Sequence, residues 1–273
     1  MFRNLIIGDD VEGKARSPLI WNAFYKKNGM NESLIPKNVS EQDLQLELQR
    51  FLSDPFCKVL VIAKPYKSLV LELISQELLE SQERKNLSSA NLAFKQNGKV
   101  HLHSTDGYGF LRSLESDKFA IPEITTILGY GATSKSIIDQ ILYEKIDTEI
   151  EVYTRRPVVS PSKSHEEIKF ATWRSLLKEL RAKRFIVNAT TVGNSSDKHS
   201  SIFSLSEVES LNSSAFVKDV NYLRDEESQL GRLCKNANIG YSDGLEMNFQ
   251  QAVSALTIVY PMHSIDFEFH SVI

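Results

Sequence analysis

The chain has 273 residues, 41% of them hydrophobic and 25% charged, with 32 Lys and Arg against 35 Asp and Glu. That length corresponds to about two domains of ~100–200 residues each, and a composition near the globular average excludes a disordered, collagen-like or coiled-coil chain. A net charge of -3 offers no basic excess for a nucleic-acid partner.

Two cysteines, Cys57 and Cys234, are too few for a disulfide scaffold. Cys57 opens an apolar run and reads as a buried small hydrophobe. Met1-Phe2-Arg3-Asn4 lacks a signal-type apolar core, and the longest aliphatic run, Val59 to Ala63, is far short of the ~20 residues of a membrane span. The expectation is a soluble protein of a reducing, cytoplasmic compartment, without membrane or nucleic-acid partners. The basic stretch Lys178 to Arg184 contains Glu179 and reads as a solvated helix face.

Short β-type runs alternate with longer helical patterns, which predicts an α/β chain. Leu5-Ile6-Ile7 reads as a first strand. Ser17 as N-cap, Pro18 in the first turn, an apolar face from Leu19, Ile20, Ala23 and Phe24, and Gly29 as terminator predict a helix. Ser40, with Asp43 three residues on, starts another through Leu44, Leu48 and Phe51. Lys58 to Ala63 is a buried-strand run, followed by the turn Lys64-Pro65-Tyr66-Lys67 and a helix to about Arg84.

The pattern then begins afresh. Ile124 to Leu128 is a β-branched apolar strand leading into Gly129-Tyr130-Gly131-Ala132-Thr133-Ser134 and a helix with Ile137, Ile138, Ile141 and Leu142 on one face. Glu149 to Thr154, Arg184 to Ala189 and Ala215 to Tyr222 read as further strands, with a helix around Leu176 and Leu177 and a last one from Leu245 to Tyr260. Residues 124 to 154 form a βαβ unit on this reading.

A backbone that approaches a pyrophosphate cannot carry a side chain at the point of contact. Glycine at 129 permits a tight turn, glycine at 131 permits the approach, and the helix that follows aims its free N–H groups at the phosphates. Ser134 stands where a third small residue serves helix–strand packing. At the end of the next strand an acid would bind the ribose of NAD, but here Thr154 is followed by Arg155 and Arg156, whose guanidinium groups suit the 2′-phosphate of NADP.

Lys67 follows a strand and a Pro-Tyr turn, at the sheet edge where ligands of α/β proteins bind. Asp106 lies at a helix start in Ser104-Thr105-Asp106-Gly107-Tyr108. A facing Lys–Asp pair suits alcohol–ketone chemistry, one group moving the hydroxyl proton while the other orients it and tunes its pKa.

Along nearly its whole length the chain resembles the shikimate dehydrogenase family. Gly8 and Ser17-Pro18-Leu19-Ile20 with Asn22-Ala23-Phe24 are similar to the family's N-terminal motif, and Pro65-Tyr66-Lys67 matches the turn of its catalytic lysine. Thr105-Asp106 with Gly109-Phe110 matches the segment of its catalytic aspartate. The resemblance implies catalysis by Lys67 and Asp106, and substrate contacts from Ser17, Asn91, Tyr222 and Gln251. For NADP it implies contacts along the glycine turn at Gly129, Gly131, Ala132 and Thr133, and at Thr154, Arg155 and Arg156 after the second strand. Asn188-Ala189-Thr190-Thr191 with Gly193 resembles the loop of the nicotinamide pocket, through Asn188 and Thr190. Asp243-Gly244-Leu245 with Met247, Gln251 and Ala252 resembles the C-terminal motif, which adds Gly244 and Met247.

The departures fall in the implied substrate pocket. The first of two motif serines is Ala15, a lost hydroxyl worth ~1.5–3 kcal/mol toward a carboxylate; Lys14 and Arg16 flank it as alternative donors. Ala63 stands for a threonine, Ser104 for an asparagine, Leu92 for a threonine and Asn194 for a frequent methionine.

The expected architecture is two α/β domains around a cleft: a discontinuous substrate domain of residues 1–106 and 245–273, and a Rossmann-type NADP-binding domain of 107–244. The expected reaction is reversible NADP-dependent reduction of 3-dehydroshikimate, or a close cyclic hydroxy-acid analogue, within aromatic amino acid biosynthesis. The alternative is a dinucleotide-binding relative with an altered substrate of quinate or aminoshikimate type, or with lost catalysis. No metal is expected: His101 and His103 share a strand face without a third ligand and read as exposed strand residues. Ile265 to Phe269 alternates as an edge strand or dimer contact would, and a monomer or homodimer is left open.

Overall fold

The structure is a computed structural model that describes residues 2–74, 87–158, 161, 163–223 and 226–265. The chain divides into two compact units, one of residues 1–109 with 249–273 and one of 110–248.

The first unit is built on strands β1 (Phe2–Gly8), β2 (Glu32–Asn38), β3 (Val59–Ile62), β4 (Leu92–Gln96) and β5 (Lys99–His103), in the order β2-β1-β3-β4-β5. β1 runs parallel to both β2 and β3, while β4 runs antiparallel to β3 and β5. The strand period of two sorts neighbours to opposite faces. Ile7, Leu60, Ile62 and Ala93 join Leu44, Leu48 and Phe51 of α2 (Leu44–Ser53), with Val70 of α3 (Leu69–Leu73), on one side. Ile6, Val59, Leu92 and Phe94 join Ile20, Trp21, Phe24 and Tyr25 of α1 (Ser17–Lys27) and the C-terminal part of α9 (Leu245–Val259) on the other. β2 escaped the sequence reading because Pro36 argues against a strand; β2 is an edge, where a missing N–H is tolerated.

The second unit holds β6 (Ile124–Leu128), β7 (Glu149–Thr154), β8 (Lys169–Thr172), β9 (Phe185–Asn188), β10 (Phe216–Asp219) and β11 (Gly240–Ser242), in the order β11-β10-β9-β6-β7-β8 with every pairing parallel. The order doubles back between β6 and β9, so the C-terminal ends of these two strands form the switch point at which doubly wound sheets bind ligands. β6, α5 (Ala132–Tyr143) and β7 are the expected βαβ unit. The segment ascribed to a strand from Ala215 to Tyr222 pairs only over β10, because Val220 and Asn221 turn back toward β9 and Gly244.

Several local expectations need correction. Ser17 is the first helical residue of α1, and Arg16 takes the N-cap position without a side-chain cap. Lys183 is buried, not part of a solvated face, and donates to the buried Glu151. His101 and His103 are half-buried and stack on Phe94, with ring centroids 5.0 and 5.6 Å apart. Of the helix expected to reach Arg84, α3 is described, and residues 75–86 fall outside the described residues, as do Asp266 to Phe269. Ser40 does cap as read, accepting from the Asp43 amide.

Candidate active site

β3 ends at Ile62 and leads through the cis Lys64–Pro65 peptide into Tyr66 and Lys67. Tyr66 is buried and donates its phenol hydrogen to Val39 O at 2.6 Å, which fixes the turn. The Ala90 amide donates to Lys67 O at 2.7 Å, tying the turn to the segment that enters β4.

On this frame the Lys67 Nζ donates to Asp106 Oδ2 at 2.6 Å. The Asp106 side chain is 1% exposed and that of Lys67 15%, so the lysine is the member that solvent or a ligand reaches. Asp106 is the first residue of α4 (Asp106–Ser116), where the helix dipole favours a carboxylate. Its Oδ1 accepts from Asn91 Nδ2 at 2.9 Å. The same Nδ2 lies 2.9 Å from Thr105 Oγ1 and 3.2 Å from Gln251 Oε1, while Asn91 Oδ1 accepts from the Thr105 amide at 2.8 Å. Residues far apart in sequence thus form one network: a cation, a buried anion, and an amide pair from β4's entry and α9. Such a lysine can hand a proton to a nearby oxygen while the aspartate stays fixed beneath it.

Elsewhere in the first unit Ser17 is buried at the start of α1, and Ala15 and Ala63 pack against the apolar cluster that includes residues of α1, β4 and α9. Lys14 pairs with Asp10, whereas Arg16 is buried.

In the second unit the glycine turn sits at the switch point. Gly129 has φ +91°, and a Cβ there would stand 3.1 Å from Thr190 Cγ2 and 3.2 Å from Ala189 O, so only glycine suits the turn. Gly131 differs: its backbone is extended, and the position a Cβ would fill is open. It is the N-cap of α5 without a side-chain cap, with Ala132 and Thr133 in the first turn. Free space over an uncapped helix start fits a pyrophosphate held by backbone N–H groups. Ser134 is buried and bonds back to Gly131 O at 2.9 Å, the small-residue packing expected there. Thr154 closes β7 by donating to Arg156 O, and Arg155 and Arg156 are exposed at the strand's C-terminal end.

The loop after β9 is tied down by amides. Asn188 Oδ1 accepts from Thr190 Oγ1 at 2.7 Å, and Asn188 Nδ2 donates to Asp219 Oδ1 at 3.0 Å. Asn221 Nδ2 reaches Thr190 O at 3.0 Å and Val192 O at 3.2 Å. Asp219 is fully buried with Oδ2 unpartnered, and burial pushes its pKa up to about 7. A Cβ at Gly244 would lie 2.1 Å from Val220 O, so its glycine serves close backbone packing, and Met247 lies in the apolar core. Tyr222 follows β10, half-buried.

No model of a protein family matches the chain. Curated relatives do. The shikimate dehydrogenase (NADP(+)) of Alkaliphilus oremlandii is 27% identical, with 93% of this chain and 89% of the relative aligned. That of Streptococcus sanguinis is 29% identical over 89% of this chain and 86% of its own length. The chain is a homologue of the shikimate dehydrogenases. The solved shikimate dehydrogenase 1 of Peptoclostridium difficile shares the fold at a TM-score of 0.82 and 19% identity, covering 100% of this chain and 98% of that one. The Thermus thermophilus shikimate 5-dehydrogenase, solved with NADP(H) and shikimate, matches at 0.80 and 20%, covering 100% and 97%.

The first unit therefore gathers Lys67, Asp106, Asn91 and Gln251 into one bonded cluster. The second holds the glycine turn, Arg155, Arg156, Asn188 and Thr190 at C-terminal strand ends. Thr105 came forward only as a motif neighbour, yet it is the group that locks Asn91. Asp219 carries a weak sequence signal, a carboxylate that ends the short strand Phe216-Val217-Lys218-Asp219. Among the described residues no group of His, Cys, Asp or Glu suits a metal ion, and no helix is long and apolar enough to cross a membrane.

Proposed function

We propose that this protein is an NADP-dependent oxidoreductase of shikimate dehydrogenase type, reducing 3-dehydroshikimate, or a close cyclic hydroxy-acid analogue, reversibly to the alcohol. The observation that carries the reading is the 2.6 Å Lys67–Asp106 pair bonded to Asn91, in a homologue of NADP-dependent shikimate dehydrogenases. When bound, NADPH supplies the hydride. Lys67 Nζ donates the proton to the carbonyl oxygen as it becomes an alkoxide, and in the reverse direction takes it back. Asp106 holds the ammonium in place and balances its charge. Asn91 and Gln251 present amide groups to ring hydroxyls, Ser17 addresses the carboxylate, and Tyr222 contributes beside the ring.

Residues 1–106 and 245–273 form the substrate domain on this reading, and 107–244 the NADP domain. In the latter Gly129, Gly131, Ala132 and Thr133 receive the pyrophosphate. Thr154, Arg155 and Arg156 receive the 2′-phosphate, while Asn188, Thr190, Gly244 and Met247 serve the nicotinamide side. The protein works in the cytoplasm on a small molecule, as monomer or homodimer, without nucleic acid.

A second reading, a substrate altered at the carboxylate end, draws on Ala15 and Ala63, which present methyl groups on an apolar cluster rather than hydroxyls. The test is NADPH oxidation followed by absorbance with 3-dehydroshikimate and then a panel of cyclic keto acids of quinate and aminoshikimate type. Turnover of 3-dehydroshikimate supports the first reading, and preference for another member the second. NADPH binding without turnover of any would leave a binding protein.

A further inference from the structure

We propose that His165, acting through Tyr130, presets the glycine turn, and so is a positioning residue for the pyrophosphate of NADP(H). The inference rests on the dinucleotide reading above and goes beyond it.

Tyr130 stands between Gly129 and Gly131, two residues with no Cβ to restrict the backbone. Its phenol oxygen is 2.8 Å from His165 Nδ1, and His165 Nε2 is 2.8 Å from Asp139 Oδ1. A carboxylate only accepts, so Nε2 carries a hydrogen, and the neutral imidazole then accepts at Nδ1 from the Tyr130 hydroxyl. His165 is wholly buried and Asp139 14% exposed, so water does not compete for the imidazole.

The three residues come from three places. Tyr130 belongs to the turn after β6, Asp139 to α5, and His165 to a short 3-10 turn on the connection that leaves β7 with Arg155 and Arg156 and returns into β8. Phe170 of β8 packs edge-on against the Tyr130 ring at 4.9 Å, and the Lys135 ammonium lies 5.0 Å from its centroid. A glycine pair left to itself presents its N–H groups in many orientations, and binding must then order them. A ring anchored on a buried imidazole orders the turn beforehand, which lowers the entropy lost on binding.

The experiment titrates the full chain with NADPH and with NADH, for wild type, Tyr130→Phe, His165→Gln and the double variant, alongside thermal melts. Tyr130→Phe keeps the ring packing and removes only the hydroxyl, so it stays informative where His165→Gln fails to fold. Each single variant is expected to raise Kd and KM for NADPH about tenfold, the loss of one strong hydrogen bond. The kcat at saturating NADPH should fall less than KM rises. The double variant should be no worse than the weaker-binding single, and NADH, which carries the same pyrophosphate, should lose affinity alongside NADPH. A lowered Tm with unchanged NADPH affinity would overturn the proposal, as would additive losses or a loss confined to one of the two dinucleotides. Wild-type protein that binds neither dinucleotide overturns the dinucleotide reading itself, which separates the two failures.

Discussion

Lys67 Nζ and Asp106 Oδ2 are 2.6 Å apart, yet the two side chains differ in access: the carboxylate is sealed and the ammonium is partly open. On the proposed function, this asymmetry makes the reachable ammonium the group that exchanges a proton with substrate and the sealed carboxylate its support. Removal of either partner from so buried a pair leaves the other charge uncompensated.

Lys67→Ala should therefore lower kcat by about 10²–10⁴, the usual worth of a positioned acid–base group, with Kd for NADPH retained. Asp106→Asn should lower kcat as well, with a smaller loss, since the ammonium remains but is no longer held. Steady-state NADPH oxidation with a parallel binding titration separates the two quantities. Unaltered turnover in Lys67→Ala would remove the lysine from the mechanism.

The glycines of the second unit should divide by what surrounds them. Gly131 has an extended backbone and open space, so Gly131→Ala should melt like the wild type. The added methyl would occupy the place of the pyrophosphate, and NADPH affinity should fall tenfold or more, about 1.4 kcal/mol or above. Gly244→Ala meets Val220 O at 2.1 Å and should lower Tm or prevent folding. Calorimetry and ligand titration on the pair settle both expectations, and a destabilised Gly131→Ala with intact binding would count against the assigned approach point.

Arg155 and Arg156 are exposed at the end of β7 and bear the NADP preference on this reading. Replacement of both by Ala should cost NADPH about 1.5–3 kcal/mol, the worth of a charge-assisted contact, and leave NADH nearly unaffected. Equal wild-type affinities for NADP and NAD would defeat the argument at once.

Asp219 supplies a pH dependence. Its pKa is raised by burial to about 7 from the ~3.9 of a free aspartate. A raised folded-state value means that the protonated form is the favoured one in the fold. Its contribution to stability is present in full below ~4 and is lost as pH rises through about 7, at about 1.4 kcal/mol per unit in that window. Asp219→Asn removes the titration, so the Tm of the variant relative to wild type should be higher at pH 8 than at pH 5. A Tm difference that does not change between those pH values would show that the carboxylate is not desolvated as the fold implies.

The sequence by itself determined whatever local chemistry encodes. The strand Ile124 to Leu128, the glycine turn, α5 and the strand Glu149 to Thr154 could be read because β-branched runs, glycine spacing and a helical apolar face are signals within a few residues. The Ser40 cap was legible for the same reason. Lys67 and Asp106 were named by their turns, but nothing local showed that Asn91, Thr105 and Gln251 would bond around them. Tertiary structure decided that, since those contacts span as many as 160 positions. It also decided what solvent sees. Lys183 reads as a surface charge until Glu151 is placed beside it, and His101 and His103 read as exposed until the register of β4 and β5 lays them over Phe94. Charges and rings take their character from cross-strand and cross-element neighbours: Phe94 reaches the histidines across the antiparallel β4–β5 pair, and Glu151 reaches Lys183 from 32 positions away. That is why Lys67 and Asp106 could be picked out in the sequence, while the hydrogen bond of His165 to Tyr130 and the burial of Asp219 appeared only in the folded chain.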